Sequence, residues 1–181
     1  MKYILSCCCL LVFVAGASAH RLDELLQATR ISVANNHIDL FIDLTPGVAV
    51  VGQVMAVVDT DEDGTVSKEE GEEYARRVLR DLSLELDGQS LAVTKVDVRF
   101  PLLLEMKAGS GVIHISAAAP ITLLKNGRHT LALTNAHLPD ISVFLVNALV
   151  PKDPSIRIAT QIRDENQMNY RLEFVSDALL P

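Results

Sequence analysis

A twelve-residue acidic segment, residues 59–70, constrains the local fold more tightly than any other part of the sequence. Potential oxygen ligands recur in it at positions 1, 3, 5, 7, 9 and 12. These positions are occupied by Asp59, Asp61, Asp63, Thr65, Ser67 and Glu70. Side chains at this spacing converge only if the chain turns sharply, and Gly64 at position 6 permits the positive φ that such a turn needs. The four carboxylates repel one another, so we expect the segment to settle around a divalent cation.

The donor set of this segment favours calcium. Every donor is oxygen, which disfavours soft metals, and a flexible loop with about seven oxygen ligands suits Ca²⁺ better than the tight octahedron of Mg²⁺. In this interpretation Thr65 offers its backbone carbonyl, Ser67 binds directly or through water, and Glu70 closes the shell with two oxygens. The alternative is an acidic surface turn, since Asp and Gly are common turn residues.

Helix signals flank the segment on both sides. Thr45-Pro46 reads as an N-cap followed by proline at the first helical position, and the apolar residues 48–58 predict a buried helix. After the loop, Ser67 and Glu70 form a capping-box pattern that begins a second amphipathic helix. The sequence therefore predicts a helix-loop-helix over residues 46–82.

Over residues 46–82 the chain resembles the EF-hand family, and the match is complete at the loop positions given above. The resemblance implies Ca²⁺ as the bound ion. EF-hands usually occur in pairs, and the sequence contains no second loop, so we expect weaker binding, with a dissociation constant of about 10⁻⁵ to 10⁻³ M. A solitary site of this kind favours structural stabilisation over signalling.

The rest of the chain is patterned for strands. Residues 25–34 and 37–44 predict a hairpin turning at Asn35-Asn36, with alternate residues of the second strand buried. Asp87-Gly88 marks another hairpin turn. Further strands are predicted at residues 112–118, 129–134, 141–150, 156–162 and 169–175. This spacing predicts a mainly β protein, an antiparallel β-sandwich formed by one domain over residues 20–181, with the EF-hand as an insertion.

The first 19 residues have the features of a secretory signal peptide. Lys2 precedes an apolar run that is followed by Ala17-Ser18-Ala19, a typical cleavage sequence. Cys7, Cys8 and Cys9 all lie inside this segment, so the mature chain is expected to have neither thiol nor disulfide. An alternative is acylation at Cys7 after Ile4-Leu5-Ser6, although little apolar sequence precedes it. We expect an exported protein, periplasmic or extracellular.

The charge balance narrows the classes of partner. Without Lys2, 15 basic side chains face 23 acidic ones, so the mature chain is acidic and is not expected to bind nucleic acid. The longest later apolar stretch, residues 141–150, is too short to span a bilayer, so we do not expect a membrane-embedded protein. The remaining classes of partner are the calcium ion and an unidentified protein.

Histidines suggest an alternative function. If cleavage leaves His20 as the first residue, its amine and imidazole together favour copper, with His114, His129 or His137 as a further ligand. No spacing brings these residues together, and the simpler interpretation makes the three internal histidines surface residues of strands or loops. Copper titration distinguishes the hypotheses.

Catalytic patterns do not stand out. The chain has no Gly-x-Ser-x-Gly, no His-Glu-x-x-His and no cysteine after residue 9. We therefore predict that the protein is not an enzyme; hydrolysis would require a carboxylate cluster that only folding brings together.

A second resemblance covers three short segments, residues 22–28, 43–47 and 141–149. They are similar to the extracytoplasmic part of bacterial membrane proteins of the HupE/UreJ type. Those proteins continue into transmembrane helices, whereas this chain ends at Pro181. The resemblance therefore implies a periplasmic binding or interaction module.

Overall fold

The computed structural model of the protein describes residues 23–177. The predicted signal peptide, residues 1–19, and His20 lie outside the described residues. The ten strands are β1 (Leu25–Val33), β2 (His37–Pro46), β3 (Leu82–Leu86), β4 (Gln89–Ser90), β5 (Lys95–Arg99), β6 (Ile113–Pro120), β7 (Gly127–Asn135), β8 (Ser142–Ala148), β9 (Ile156–Arg163) and β10 (Asn169–Ser176). The helices are α1 (Val51–Val58), α2 (Lys68–Arg80) and α3 (Leu103–Lys107), with a 3-10 turn at Pro139–Ile141.

The strands form two five-stranded sheets, so the prediction of a mainly β protein is confirmed. The first sheet has the order β5-β6-β2-β1-β8 and the second β4-β3-β7-β10-β9. Strands β1 and β2 pair in the predicted hairpin, with Val33 opposite Ile38 across the turn. The turn at Asp87-Gly88 is also confirmed, since both residues have positive φ and join β3 to β4.

One strand pair is parallel, and the prediction of a purely antiparallel protein is wrong there. Strand β8 runs parallel to β1, with Leu25 opposite Ser142. The chain crosses from β7 to β8 at the end of the molecule where β1 begins. His137 lies in this crossing, and its carbonyl accepts a hydrogen bond from Gln27 near the start of β1. Since β8 enters the first sheet at that end, it has to run in the same direction as β1.

A single hydrophobic core draws on both sheets and on the helices. In β2 the inward residues Ile38, Leu40, Ile42 and Leu44 are completely buried, as their two-residue alternation predicts. The second sheet contributes residues such as Leu131, Leu172 and Phe174. Burial of alternate residues on each strand fixes the register, because a slip of one residue would turn the apolar side chains to water.

Helices α1 and α2 lie between β2 and β3, as predicted, but α1 begins later than expected. Pro46 is the last residue of β2, where it lies opposite Leu25, and the helix starts at Val51 after a turn. Pairing with β1 keeps Thr45-Pro46 extended, and this overrides the local N-cap signal. Helix α3 was not predicted. No helix within residues 23–177 is long and apolar enough to cross a membrane.

Helix α2 packs closely against the first sheet. It buries Gly71, Tyr74, Ala75 and Val78 on one face. A Cβ on Gly71 would lie 3.1 Å from the ring of Phe100, which follows β5, so glycine permits this close approach. The helix is thereby held against the strand at the edge of the first sheet.

Candidate metal centre

The loop between α1 and α2 brings three of the predicted ligand residues together. Oxygen atoms of Asp59, Asp61 and Asp63 lie within 4.8 Å of one another. Asp59 is half-buried at the end of α1, where its N–H donates to the Met55 carbonyl, whereas the other two carboxylates are exposed. The predicted convergence of alternating carboxylates is therefore present.

The backbone folds around the carboxylate of Asp59. The N–H of Asp63 donates to Asp59 Oδ1 at 3.1 Å and the N–H of Gly64 donates to Oδ2 at 3.0 Å. Gly64 has φ of 83° with open space around the position of a Cβ, so conformation rather than crowding favours glycine there. Glu62 also has positive φ, at 60°. These two left-handed residues produce the sharp turn that aims the carboxylates inward.

Glu70, the predicted closing ligand, lies beside this cluster rather than within it. Its Oε1 accepts from the Thr60 N–H at 2.6 Å, and its Oε2 accepts from the Ser67 N–H at 3.0 Å. Ser67 Oγ in turn accepts from the Glu70 N–H, so the predicted capping box is confirmed. Hydrogen bonds from Ser67 and Thr60 lower the pKa of Glu70 to about 2, so this carboxylate is ionised at neutral pH.

Thr65 and Ser67, the remaining predicted ligands, are exposed and bonded to loop carboxylates. The Thr65 hydroxyl and N–H both donate to Asp63 Oδ1 at 2.7 Å, and the Ser67 hydroxyl donates to Glu70 Oε2 at 2.9 Å. The loop is thus a set of anionic oxygens partly satisfied by its own donors. Hard oxygen donors of this kind fit Ca²⁺ and not a soft metal.

Both ends of the loop are anchored in the core. Val54 and Val58 of α1, and Tyr74, Ala75 and Val78 of α2, are buried. These buried residues restrict where the loop can begin and end, so the candidate ligand residues are presented on a supported turn rather than on a free connection.

A buried polar cluster next to α2 was missed by the sequence interpretation. The sequence predicts His137 at the surface, and this is wrong, because its side chain is 0% exposed. Its Nδ1 lies 2.7 Å from Asp81 Oδ2, and its Nε2 lies 3.1 Å from the Tyr74 hydroxyl. Burial lowers the pKa of His137 despite the neighbouring carboxylate of Asp81, so the imidazole is neutral at pH 7.

Three further polar side chains complete this cluster from the strands. Gln27 Nε2 donates to the His137 carbonyl at 2.7 Å, and its Oε1 accepts from Asn135 Nδ2 at 3.1 Å. Asn135 Oδ1 accepts from the His137 N–H, and the Ser142 hydroxyl donates to the His137 carbonyl. One sequence signal was available: Gln27 occupies an inward position of β1, where a polar side chain has to find partners.

The other histidines have separate partners. His114 Nδ1 lies 2.8 Å from Asp43, and His129 Nδ1 lies 2.7 Å from Asp87. Over residues 23–177, the three loop aspartates are the one group of three or more close metal-binding side chains. The copper hypothesis rests on His20, outside the described residues, and stays a prediction. Comparison with protein-family models and with curated protein sequences found no match.

Proposed function

We propose that the protein binds Ca²⁺ at residues 59–70, through a solitary EF-hand inserted in a β-sandwich domain. The observation that carries the proposal is the convergence of Asp59, Asp61 and Asp63 oxygens within 4.8 Å on a turn between two helices that each bury one face. Such a concentration of negative charge is unfavourable by itself and is relieved by a hard dication.

The ligands fall into two groups by their present contacts. The aspartates already converge, and Thr65 and Ser67 are available from the exposed side of the loop. Glu70 would have to exchange its hydrogen bonds from Thr60 and Ser67 for the ion. When bound, Ca²⁺ supplies positive charge that neutralises these carboxylates and orders the segment between the helices.

The contribution of the ion is structural in this proposal. Helix α2 contacts the first sheet through Gly71 and reaches the buried cluster through Tyr74. Ordering the start of α2 therefore stabilises a helix that is packed on the core. A weak site suffices outside the cytoplasm, which agrees with the proposed export of the chain after cleavage at residue 19.

We further propose that this calcium-stabilised domain serves as a periplasmic binding or interaction module rather than as an enzyme. The proposal follows from the resemblance of three segments to the extracytoplasmic part of HupE/UreJ-type proteins. Residues 43–47 lie at the end of β2 and just after it, and residues 141–149 span β8. Both strands belong to the first sheet.

Calorimetric titration with Ca²⁺ tests the site. Glu70→Gln removes the negative charge of the closing ligand and should lower calcium affinity at least about tenfold, equivalent to about 1.4 kcal/mol. Glu69→Gln is the matched control, because this exposed neighbour loses the same charge but occupies loop position 11. Absence of any heat of binding in the wild-type chain, or equal losses in both variants, would contradict the proposed site.

A further inference from the structure

The imidazole of His137 connects the helix that leaves the calcium loop to the core. Its Nδ1 faces the Asp81 carboxylate and its Nε2 faces the Tyr74 hydroxyl, at 2.7 and 3.1 Å. Because a carboxylate only accepts, the neutral ring carries its proton on Nδ1, and the tyrosine hydroxyl donates to Nε2. The same residue is held to β1 and β7 through its backbone by Gln27 and Asn135.

Tyr74 is the side chain through which this contact reaches the calcium loop. Its ring packs edge-on against His137, with centroids 5.5 Å apart, and against Phe100, with centroids 5.9 Å apart. Tyr74 is four residues after Glu70 on α2, so the two residues lie one turn apart on the same side of the helix. A shift of Tyr74 out of its site would therefore move Glu70 relative to the three aspartates.

We propose that His137 is a positioning residue for the calcium site: its neutral imidazole keeps α2 docked with Glu70 at the loop, and its protonation weakens calcium binding. This inference rests on the proposed calcium function. Local sequence patterns do not indicate this role of the buried cluster, because its members come from distant parts of the chain.

The surroundings of His137 oppose a positive charge. The titratable groups that act on it are Tyr74, Arg77 and Asp81, all on α2 or at its end. Its hydrogen-bond partners on the strands are uncharged: Gln27, Asn135 and Ser142. Burial lowers the pKa of His137 and the charge of Arg77 adds to this effect, whereas Asp81 raises the pKa without compensating fully. Protonation also places a second N–H against the Tyr74 hydroxyl, which must then accept instead of donate.

Calcium and the proton therefore act on α2 in opposite directions. Calcium binding favours the docked helix because it requires Glu70 at the loop, and the docked helix favours the neutral imidazole. Linkage makes this coupling reciprocal, so acidification should lower calcium affinity, by about fivefold or more once the imidazole is fully protonated.

Calcium titrations of the full chain at pH values of about 7.5 and 5.5 test the inference. The wild-type affinity should fall on acidification, and by more than the affinity of His137→Gln falls over the same interval. His137→Gln should bind calcium more weakly than wild type at the higher pH and should lose most of this pH dependence. His129→Gln is the control, because this histidine contacts Asp87 and Lys125 and should leave the wild-type profile unchanged.

The outcomes separate the two proposals. A wild-type chain that binds no calcium at either pH overturns the calcium function itself. Calcium binding that is equal at both pH values, or that falls as much in His137→Gln as in wild type, overturns only the role of His137. If His137→Gln does not fold, Tyr74→Phe removes the hydroxyl and keeps the ring. It should weaken calcium binding at the higher pH, and unchanged affinity would overturn the inference.

Discussion

Single residues of the loop between α1 and α2 differ in how well they suit their backbone conformation. Gly64 and Glu62 both have positive φ, but only glycine adopts this region without a steric penalty. For other L residues the left-handed conformation costs about 1 to 2 kcal/mol, with Asn tolerating it better than Gln or Glu. Glu62 is therefore a strained position, and its side chain is not among the proposed ligands.

Replacing Glu62 with Asn should stabilise the loop more than replacing it with Gln. Both changes remove the charge and introduce an amide, so their difference isolates the backbone preference. We expect Glu62→Asn to be more stable than Glu62→Gln by about 0.5 to 1 kcal/mol. Urea unfolding of the two variants measures the difference. Equal stability of the two variants would show that the left-handed conformation carries no such cost.

At the scale of structural elements, His129 of β7 connects two loops: the turn between β3 and β4 and the loop between β6 and β7. Its Nδ1 lies 2.7 Å from Asp87 Oδ2 and its Nε2 lies 2.8 Å from the Lys125 carbonyl. Only the protonated ring donates at both nitrogens. Burial lowers the pKa of His129, but the hydrogen bonds to Asp87 and Lys125 outweigh it, so the pKa is raised.

This raised pKa predicts a stability contribution that weakens in alkali. The folded chain holds the proton more tightly than the unfolded chain, so the contribution is complete below the unfolded pKa of about 6.5 and is lost as pH rises through the folded pKa. The stability advantage of wild type over His129→Gln should therefore be larger at about pH 5.5 than at about pH 8.5. Urea unfolding of both proteins at the two pH values tests this, and an advantage that grows with pH would contradict it.

Elements with a local pattern were predictable from the sequence, and those fixed by distant contacts were not. The β1–β2 hairpin has alternating apolar residues and a turn signal within about 20 residues, and the capping box of α2 is equally local. The parallel pairing of β1 with β8 joins Leu25 to Ser142, and alternation is the same in parallel and antiparallel strands. The burial of His137 has no local sequence signal for the same reason, since its partners Gln27 and Tyr74 are distant in sequence.

At the scale of the whole molecule, the two sheets are joined differently on their two sides. Along one side, Arg163 of β9 donates to the Val146 carbonyl of β8, so side chains of the second sheet satisfy the edge of the first. Along the other, α2 lies between the sheets: Leu79 lines a cavity with Leu40 and Val96 of the first sheet and Leu84 of the second. The helix pair is therefore part of the packing of the domain as well as a carrier of the loop.

Because α2 contacts both sheets, calcium should stabilise the whole fold and not only the loop. If calcium binds the native state and not the unfolded chain, it raises the free energy of unfolding by about 2.7 kcal/mol when free calcium exceeds the dissociation constant a hundredfold. For a domain of this size we expect the melting temperature to rise by about 5 to 10 °C. Calorimetric melting of chelator-stripped chain, with and without calcium, measures the shift, and Glu70→Gln should show a much smaller one at the same calcium concentration. Equal melting temperatures in wild type would mean that the loop and the core unfold independently or that the ion does not bind.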